Sequence, residues 1–360
     1  MISGRKPPWY RSSVVSITAA PEEVSAPSLA SRLFTRRTVL SFGLTALIVG
    51  VAVWRANIDW STAWRDIRHA DIRWYLAAVV AYYSAFVVRA LRWQLLLRNA
   101  NEHCRFVPLF EILTASFFVN CVVPAKMGDL YRAYLLRMRQ QISAMKAFGT
   151  IITERFLDLF VLMSLLVLAG GLTFRNRVPH QLVPFAISGG VLCAIGAAAI
   201  AIMTLGRGQR ILRLFPDPVL QRYENFRTGA VQSMGRWTEV VPLSVLVWVL
   251  EGTRLAFIVF ALGDGDLLSP PNFLLVALIA ALLTTVPFTP GGLGLVEGGM
   301  ILVLKQVADV GSSQAAAIAL LDRSVSYGSL IVIGCVFFAL THVKAARPAR
   351  TGTLIDSAET

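Results

Sequence analysis

The chain has 360 residues, 56% of them hydrophobic and 15% charged, with a formal net charge of +13. A soluble globular chain carries about a quarter charged residues, so this composition excludes an ordinary soluble domain. The excess of basic residues does not indicate nucleic acid, because most of it lies in four segments outside the long apolar runs and no RNA- or DNA-binding motif accompanies it.

In chain order, residues 1–38 are a polar tail rich in Pro and Arg, expected to be disordered and cytoplasmic. Runs of bilayer-spanning length, about 17–25 residues, follow at about 39–55, 74–97, 147–173, 182–205, 239–262 and 314–342. Residues 55–73, with Trp60, Trp64 and Trp74, read as an amphipathic helix at the membrane interface. Two further apolar stretches, 107–124 and 272–308, are broken by Pro and Gly. Such backbone is tolerated at membrane depth only where protein or a wet cavity surrounds it, so both read as re-entrant or broken helices. The expected fold is an all-α polytopic membrane protein with about 6 full spans plus these two broken segments, 8 or more helices in total. A tail at 343–360 ends the chain.

Of the 34 Lys and Arg, 22 lie in four segments, 1–38, 98–146, 206–237 and 343–360. By the positive-inside rule these are cytoplasmic, which places both termini inside. The first broken segment then dips from the cytoplasmic side and the second from the opposite side. Span, broken segment, span recurs in the halves 74–173 and 239–342 with reversed orientation, an inverted repeat within the domain 39–342. Val123-Pro124 recurs as Val286-Pro287 at an offset of 163, which sets Gly128-Asp129 against Gly291-Gly292; Arg92 recurs as Arg254 at 162, and each break is followed by an acid-Arg pair, Glu154-Arg155 and Asp322-Arg323. Helix breaks at matching places in two halves point to a binding site between them.

Charged residues within apolar spans each cost about 2.5–3.5 kcal/mol at mid-bilayer if they face lipid. Arg92, Glu154, Arg155, Asp158, Glu251, Arg254, Glu297, Asp322 and Arg323 must therefore face the protein interior or water. Arg89 and Lys305 read as snorkelling to an interface. Glu154 and Asp158, four apart, share a helix face, and Glu251 and Arg254 can pair along one helix. Gly128-Asp129 opens a helical stretch containing Arg132, with Asp129 as its cap, and Pro290-Gly291-Gly292-Leu293-Gly294 opens another. Helix N-termini with free N–H groups attract anions such as phosphate, and Lys126 and Arg132 add positive charge. Cys104, Cys121, Cys193 and Cys335 have no metal-binding spacing and read as small buried hydrophobes, and His69, His103, His180 and His342 lie far apart. No catalytic, cofactor or metal motif is present.

The series Arg89-x-x-Arg92-Trp93, Pro124-x-Lys126-x-Gly128-Asp129-x-x-Arg132, Glu154-Arg155-x-x-Asp158, Pro287-x-x-Pro290-Gly291-Gly292-x-Gly294-x-x-Glu297 and Arg323 resembles the flippase-like lysylphosphatidylglycerol synthase transmembrane-region family. The resemblance covers about residues 40–342. It implies lipid handling in a bacterial inner membrane by a stand-alone member that lacks the soluble aminoacyl-transferase domain. The expected function is a lipid transporter that holds a phosphate-bearing headgroup between the broken segments. The headgroup-binding candidates are Arg92, Lys126, Gly128, Asp129, Arg132, Glu154, Arg155, Asp158, Glu251, Arg254, Pro290, Gly291, Gly292, Gly294, Glu297, Asp322 and Arg323. The expected partners are membrane lipids. Two alternatives remain open: an accessory of a lipid- or glycan-synthesis enzyme, docked through the Arg-rich segment 206–237, and an integral-membrane transferase using Asp129, Glu154 or Glu297 as base.

Overall fold

Side-chain oxygens start the first two helices of this computed structural model, which describes Gly43 and residues 58–123, 126–174, 183–205, 216–285 and 290–346. Asp59 accepts from Ser61 N and Thr62 N at the head of α1 (Trp60–Arg68), and Asp71 accepts from Arg73 N at the head of α2 (Ile72–Asn99). These bonds satisfy amide donors that a helix leaves orphaned at its first turn. The Thr62 and Ser61 hydroxyls, with the same amides, hold the Asp59 carboxyl down to about 2. Then come α3 (Phe106–Val122), α4 (Met127–Gln140), α5 (Ala144–Phe174) and α6 (Val183–Thr204). The second series is α7 (Asp217–Ser233), α8 (Trp237–Ala261), α9 (Pro270–Thr284), α10 (Leu295–Ala308), α11 (Ser312–Arg323) and α12 (Leu330–Ala346). A single 3₁₀ turn joins α7 to α8, and a π turn, Ser324–Ser329, joins α11 to α12.

Helical runs long and apolar enough to cross a membrane are Ile72–Asn99, Ala144–Phe174, Ile187–Thr204, Asp217–Ala261 and Ser312–Thr341. They match the expected spans to within a few residues, except that the Asp217–Ala261 run begins well before residue 239. The span 39–55, both tails, and residues Pro124, Pro287 and His180 lie outside the described residues. The chain is a polytopic all-α membrane protein.

The two series have the same element order, and they run in opposite directions. Along α2 and α8, Asp71 N donates to Ala261 O (2.7 Å), Arg89 to Glu251 (2.8 Å), Arg92 to Ser244 (2.9 Å) and Asn99 to Ser233 O (3.0 Å). Rising numbers on one helix meet falling numbers on the other, so the pair is antiparallel. Each half also lends helices to the other. The α3 helix packs on α12, through Phe118 against Phe338, and α9 packs on α5, where Thr173 donates to Asn272 (2.8 Å). The α1 helix packs on α11, and α7 packs on α5.

The last of these contacts gives the Arg-rich segment 206–237 a structure of its own. Its described part is largely the helix α7, seated on α5 through two glycines. A Cβ at Gly149 would lie 2.2 Å from Phe226 O, and one at Gly229 would lie 2.1 Å from Lys146 O. Arg227 donates to Met203 O (2.7 Å). Basic residues had hidden the small-residue face that makes the packing. The expected interfacial helix is α1, with Trp60 and Trp64 exposed; Trp74 is exposed too but belongs to α2. Of the cysteines only Cys121 is buried; Cys104 and Cys193 are half-buried and Cys335 is exposed.

Candidate functional site

The register between the halves changes at the breaks. Arg92 and Arg254, the last residues of α2 and α8 (Asn99, Ala261), and those of α3 and α9 (Val122, Thr284), are each 162 apart. Beyond the breaks the offset is 168. It relates Asp129 to Glu297, Glu154 to Asp322 and Arg155 to Arg323. It also relates the residues flanking α4 and α10, which are left-handed at both ends: Lys126 (φ 52°) and Gly294 (φ 79°), then Gln141 (φ 57°) and Asp309 (φ 51°). The second break is six residues longer, and it holds the 3₁₀ turn Pro290–Gly292 with Gly291 at φ 59° and Gly292 at φ 73°. Positive φ is glycine's region. The alignment of Gly128-Asp129 with Gly291-Gly292 is therefore corrected: the extra turn shifts Asp129 opposite Glu297.

The buried charges form two related sets of ion pairs. In the first half Arg92 binds both Glu154 (2.9 Å) and Asp158, and donates to Ser244. Arg132 Nη1 lies 2.9 Å from Glu154 Oε2 but out of line for a hydrogen bond, while its guanidinium stacks 3.6 Å over the Trp93 ring. Arg155 grips Asp129 with two bonds (3.0 and 2.7 Å). In the second half Arg254 binds Asp322 and, along its own helix, Glu251 (3.1 Å). Arg323 donates to Glu297 (2.8 Å) and to Gly291 O (2.7 Å), and Glu297 accepts the Gly294 N–H (2.6 Å). The expected sharing of a face by Glu154 and Asp158 is what lets one guanidinium serve both.

Asp129 does not cap α4. Arg155 claims its carboxylate, and Asn120 Oδ1 takes the Gly128 N–H instead (2.8 Å). Arg89 is corrected too. It is 8% exposed and paired with Glu251 (2.8 Å) rather than snorkelling. Its three-residue spacing from Arg92 puts it on the same inward helix face, a signal present in the sequence. Lys305 is exposed, in keeping with its expected place.

The two breaks meet. Tyr327, on the π turn, donates to Cys121 O at the end of α3 (3.1 Å), and a Cβ at Gly291 would lie 2.4 Å from the Tyr327 ring. Around this meeting point is a cavity of about 230 Å³. Its wall includes Lys126, Arg155, Asp158, Glu251, Arg254, Gly291, Asp322 and Arg323 among the expected residues. Arg92, Gly128, Asp129, Arg132, Glu154, Gly292, Gly294 and Glu297 stand behind the wall, orienting it; of Pro290 only the backbone turn is described. Gly128 serves packing, because a Cβ there would lie 2.0 Å from Ser116 O. Arg89, read from the sequence as snorkelling, also lines the cavity, as do Tyr82, Asn120, Trp248 and Tyr327, which the reading for charge passed over. Among the described residues no group of His, Cys, Asp and Glu is placed to hold a metal.

Antiparallel halves, crossed helix exchange and a charged cavity at two helix breaks define a multi-pass membrane protein built around a polar core. The sequence profile of the lysylphosphatidylglycerol synthase TM region matches residues 38–334, and the chain belongs to that family. A UPF0104 membrane protein of Methanocaldococcus jannaschii is 31% identical over 222 residues, 61% of this chain and 93% of the relative. Another, from Methanothermobacter thermautotrophicus, is 27% identical over 74% of this chain and 85% of its own length. Glycosyltransferase AglD of Haloferax volcanii is 26% identical over 83% of this chain, which spans 54% of that protein.

Proposed function

We propose that the protein moves a lipid headgroup across the membrane, holding it in the cavity where the two breaks meet. The observation that carries this reading is the composition of the wall: five basic side chains against three acidic ones, enclosed between antiparallel halves of long apolar helices. A positive cavity in a low-dielectric surround attracts an anion far more strongly than the same charges would in water. The volume is below the roughly 300–1,000 Å³ of pockets that enclose whole drug-sized ligands, which suits a headgroup whose acyl chains stay in the lipid. Energy comes from gradients or mass action. The membrane is the cytoplasmic membrane, with both termini inside.

The full chain reconstituted in liposomes with a labelled outer-leaflet phospholipid tests this. It accelerates transbilayer exchange of the label, and Arg155→Ala or Glu297→Gln removes the acceleration. A rate equal to that of protein-free liposomes for every headgroup sinks the reading.

One observation favours a second reading. A relative of this chain is called a glycosyltransferase, and the chain spans about half of it. On that reading the domain presents a lipid-linked substrate to a glycan- or lipid-synthesis enzyme. Docking through 206–237 is narrowed by the structure of α7, because Gly229, Ala230 and Ser233 are buried. Product formation from a labelled donor lipid, without exchange, selects this reading.

A further inference from the structure

The charges of the core nearly cancel, and the remainder identifies the cargo. Six carboxylates, Asp129, Glu154, Asp158, Glu251, Glu297 and Asp322, each lie within ion-pairing distance of an arginine. The arginines that face them also number six: Arg89, Arg92, Arg132, Arg155, Arg254 and Arg323. One cation of the cavity wall is left over. Lys126 is half-buried and has no carboxylate within ion-pairing distance among the described residues. It also occupies a left-handed backbone position, φ 52° and ψ 38°, where its counterpart in the second half is Gly294. A non-glycine residue there costs of order 1 kcal/mol or more, and such strain gathers at functional sites. Asn120, also on the wall, spends its carbonyl oxygen on Gly128 N–H, and its NH₂ group donates to no acceptor among the described residues.

We infer that the cavity takes a singly charged phosphodiester headgroup, with Lys126 as its counter-ion. This rests on the lipid-translocation reading and narrows it. One negative charge cancels the one unmatched cation. A diphosphate-linked lipid would leave net negative charge in the core, and an aminoacylated cationic headgroup would add to the positive. An uncompensated charge at membrane depth is penalised. A zwitterionic headgroup brings an ammonium whose acceptors here are already held by arginines.

The test uses the full chain in neutral phosphatidylcholine vesicles with three trace fluorescent reporters: phosphatidylglycerol, phosphatidylcholine and a diphosphate-linked isoprenoid. The variants are Lys126→Gly, which suits the left-handed position, and Lys126→Arg, which keeps the charge. The wild type moves phosphatidylglycerol at least about 60-fold faster than the other two, the low end of what one unmatched charge costs. Lys126→Gly stays folded and loses that preference; Lys126→Arg regains it. If Lys126→Gly keeps the preference, or the wild type prefers the diphosphate reporter, the inference is overturned while translocation stands. If the wild type moves no reporter, translocation itself falls. Binding of the same three lipids to the detergent-solubilised protein then decides the charge inference by the same order of preference.

Discussion

The two breaks do the same job with different parts. Four residues separate α3 from α4, and ten separate α9 from α10. The short break ends on a strained lysine. The long one ends on a run with left-handed backbone at Gly291, Gly292 and Gly294. Arg155 is ion-paired to Asp129, and 30% of its side chain is exposed; Arg323 is tied to Glu297 and a backbone carbonyl, with 11% exposed. The first half therefore carries the accessible charge, and the second supplies the better-anchored wall. The two halves share one frame, and the difference in break length leaves them with different side chains at the cavity.

The largest effects come from breaking this frame at its paired arginines. Arg92→Leu strands Asp158 and leaves Glu154 with Arg132 alone, while Arg254→Leu strands Asp322 but leaves Glu251 with Arg89. Removing one partner of a buried pair costs about 3–5 kcal/mol. Both variants are expected to lower the thermal midpoint strongly in detergent, Arg92→Leu at least as much as Arg254→Leu. Unchanged midpoints would mean that the two networks are not buried in the protein as purified.

Next is Gly128. At the 168 offset its counterpart is Val296, which is 2% exposed and well packed. The first half cannot accept that side chain, because even a methyl group at Gly128 would meet Ser116 O at 2.0 Å and Asn120 Oδ1 at 2.6 Å. Gly128→Val is expected to cost more than the roughly 1–3 kcal/mol usual for overpacking, because backbone must move. Wild-type yield and melting for this variant would show that the two hairpins are looser than their packing implies.

Much of this was legible beforehand, for physical reasons. Charge within an apolar run cannot hide, so Arg92, Glu154, Arg155, Asp322 and Arg323 announced themselves through their desolvation cost. The helix breaks announced themselves through Pro and Gly. The partners were less legible. Asp129 looked like a cap because sequence gives neighbours along the chain and not the arginine 26 residues on. The Val-Pro dipeptides stand out at 163, whereas the offset of 168 shows in the sequence only in the acid-Arg pairs, because its other matches are a lysine with a glycine and an aspartate with a glutamate. Tyr82, Trp248 and Tyr327 were invisible because aromatic residues in a span read as core.

A smaller effect tests where the breaks touch. Tyr327→Phe removes only the hydrogen bond to Cys121 O and keeps the ring against Gly291. The expected loss is about 1 kcal/mol in stability. If exchange of labelled lipid changes far more than the melting midpoint does, the bond holds the breaks together during transport rather than at rest.

The smallest effect concerns α10, which opens the second half's wall. Gly298 and Gly299 sit side by side on it. A Cβ at Gly299 would meet Leu283 Cδ1 at 2.1 Å, whereas one at Gly298 would meet nothing within 4 Å. Alanine at Gly298 is therefore expected to stabilise the helix by about 0.5–1 kcal/mol, read as a small rise in the midpoint. The gain applies to any state in which that space stays open. If α10 closes on a neighbour during transport, Gly298→Ala raises stability yet slows lipid exchange, and stability and rate then move in opposite directions. A rise in both would mean that α10 is a fixed wall and that the moving part belongs to the first half.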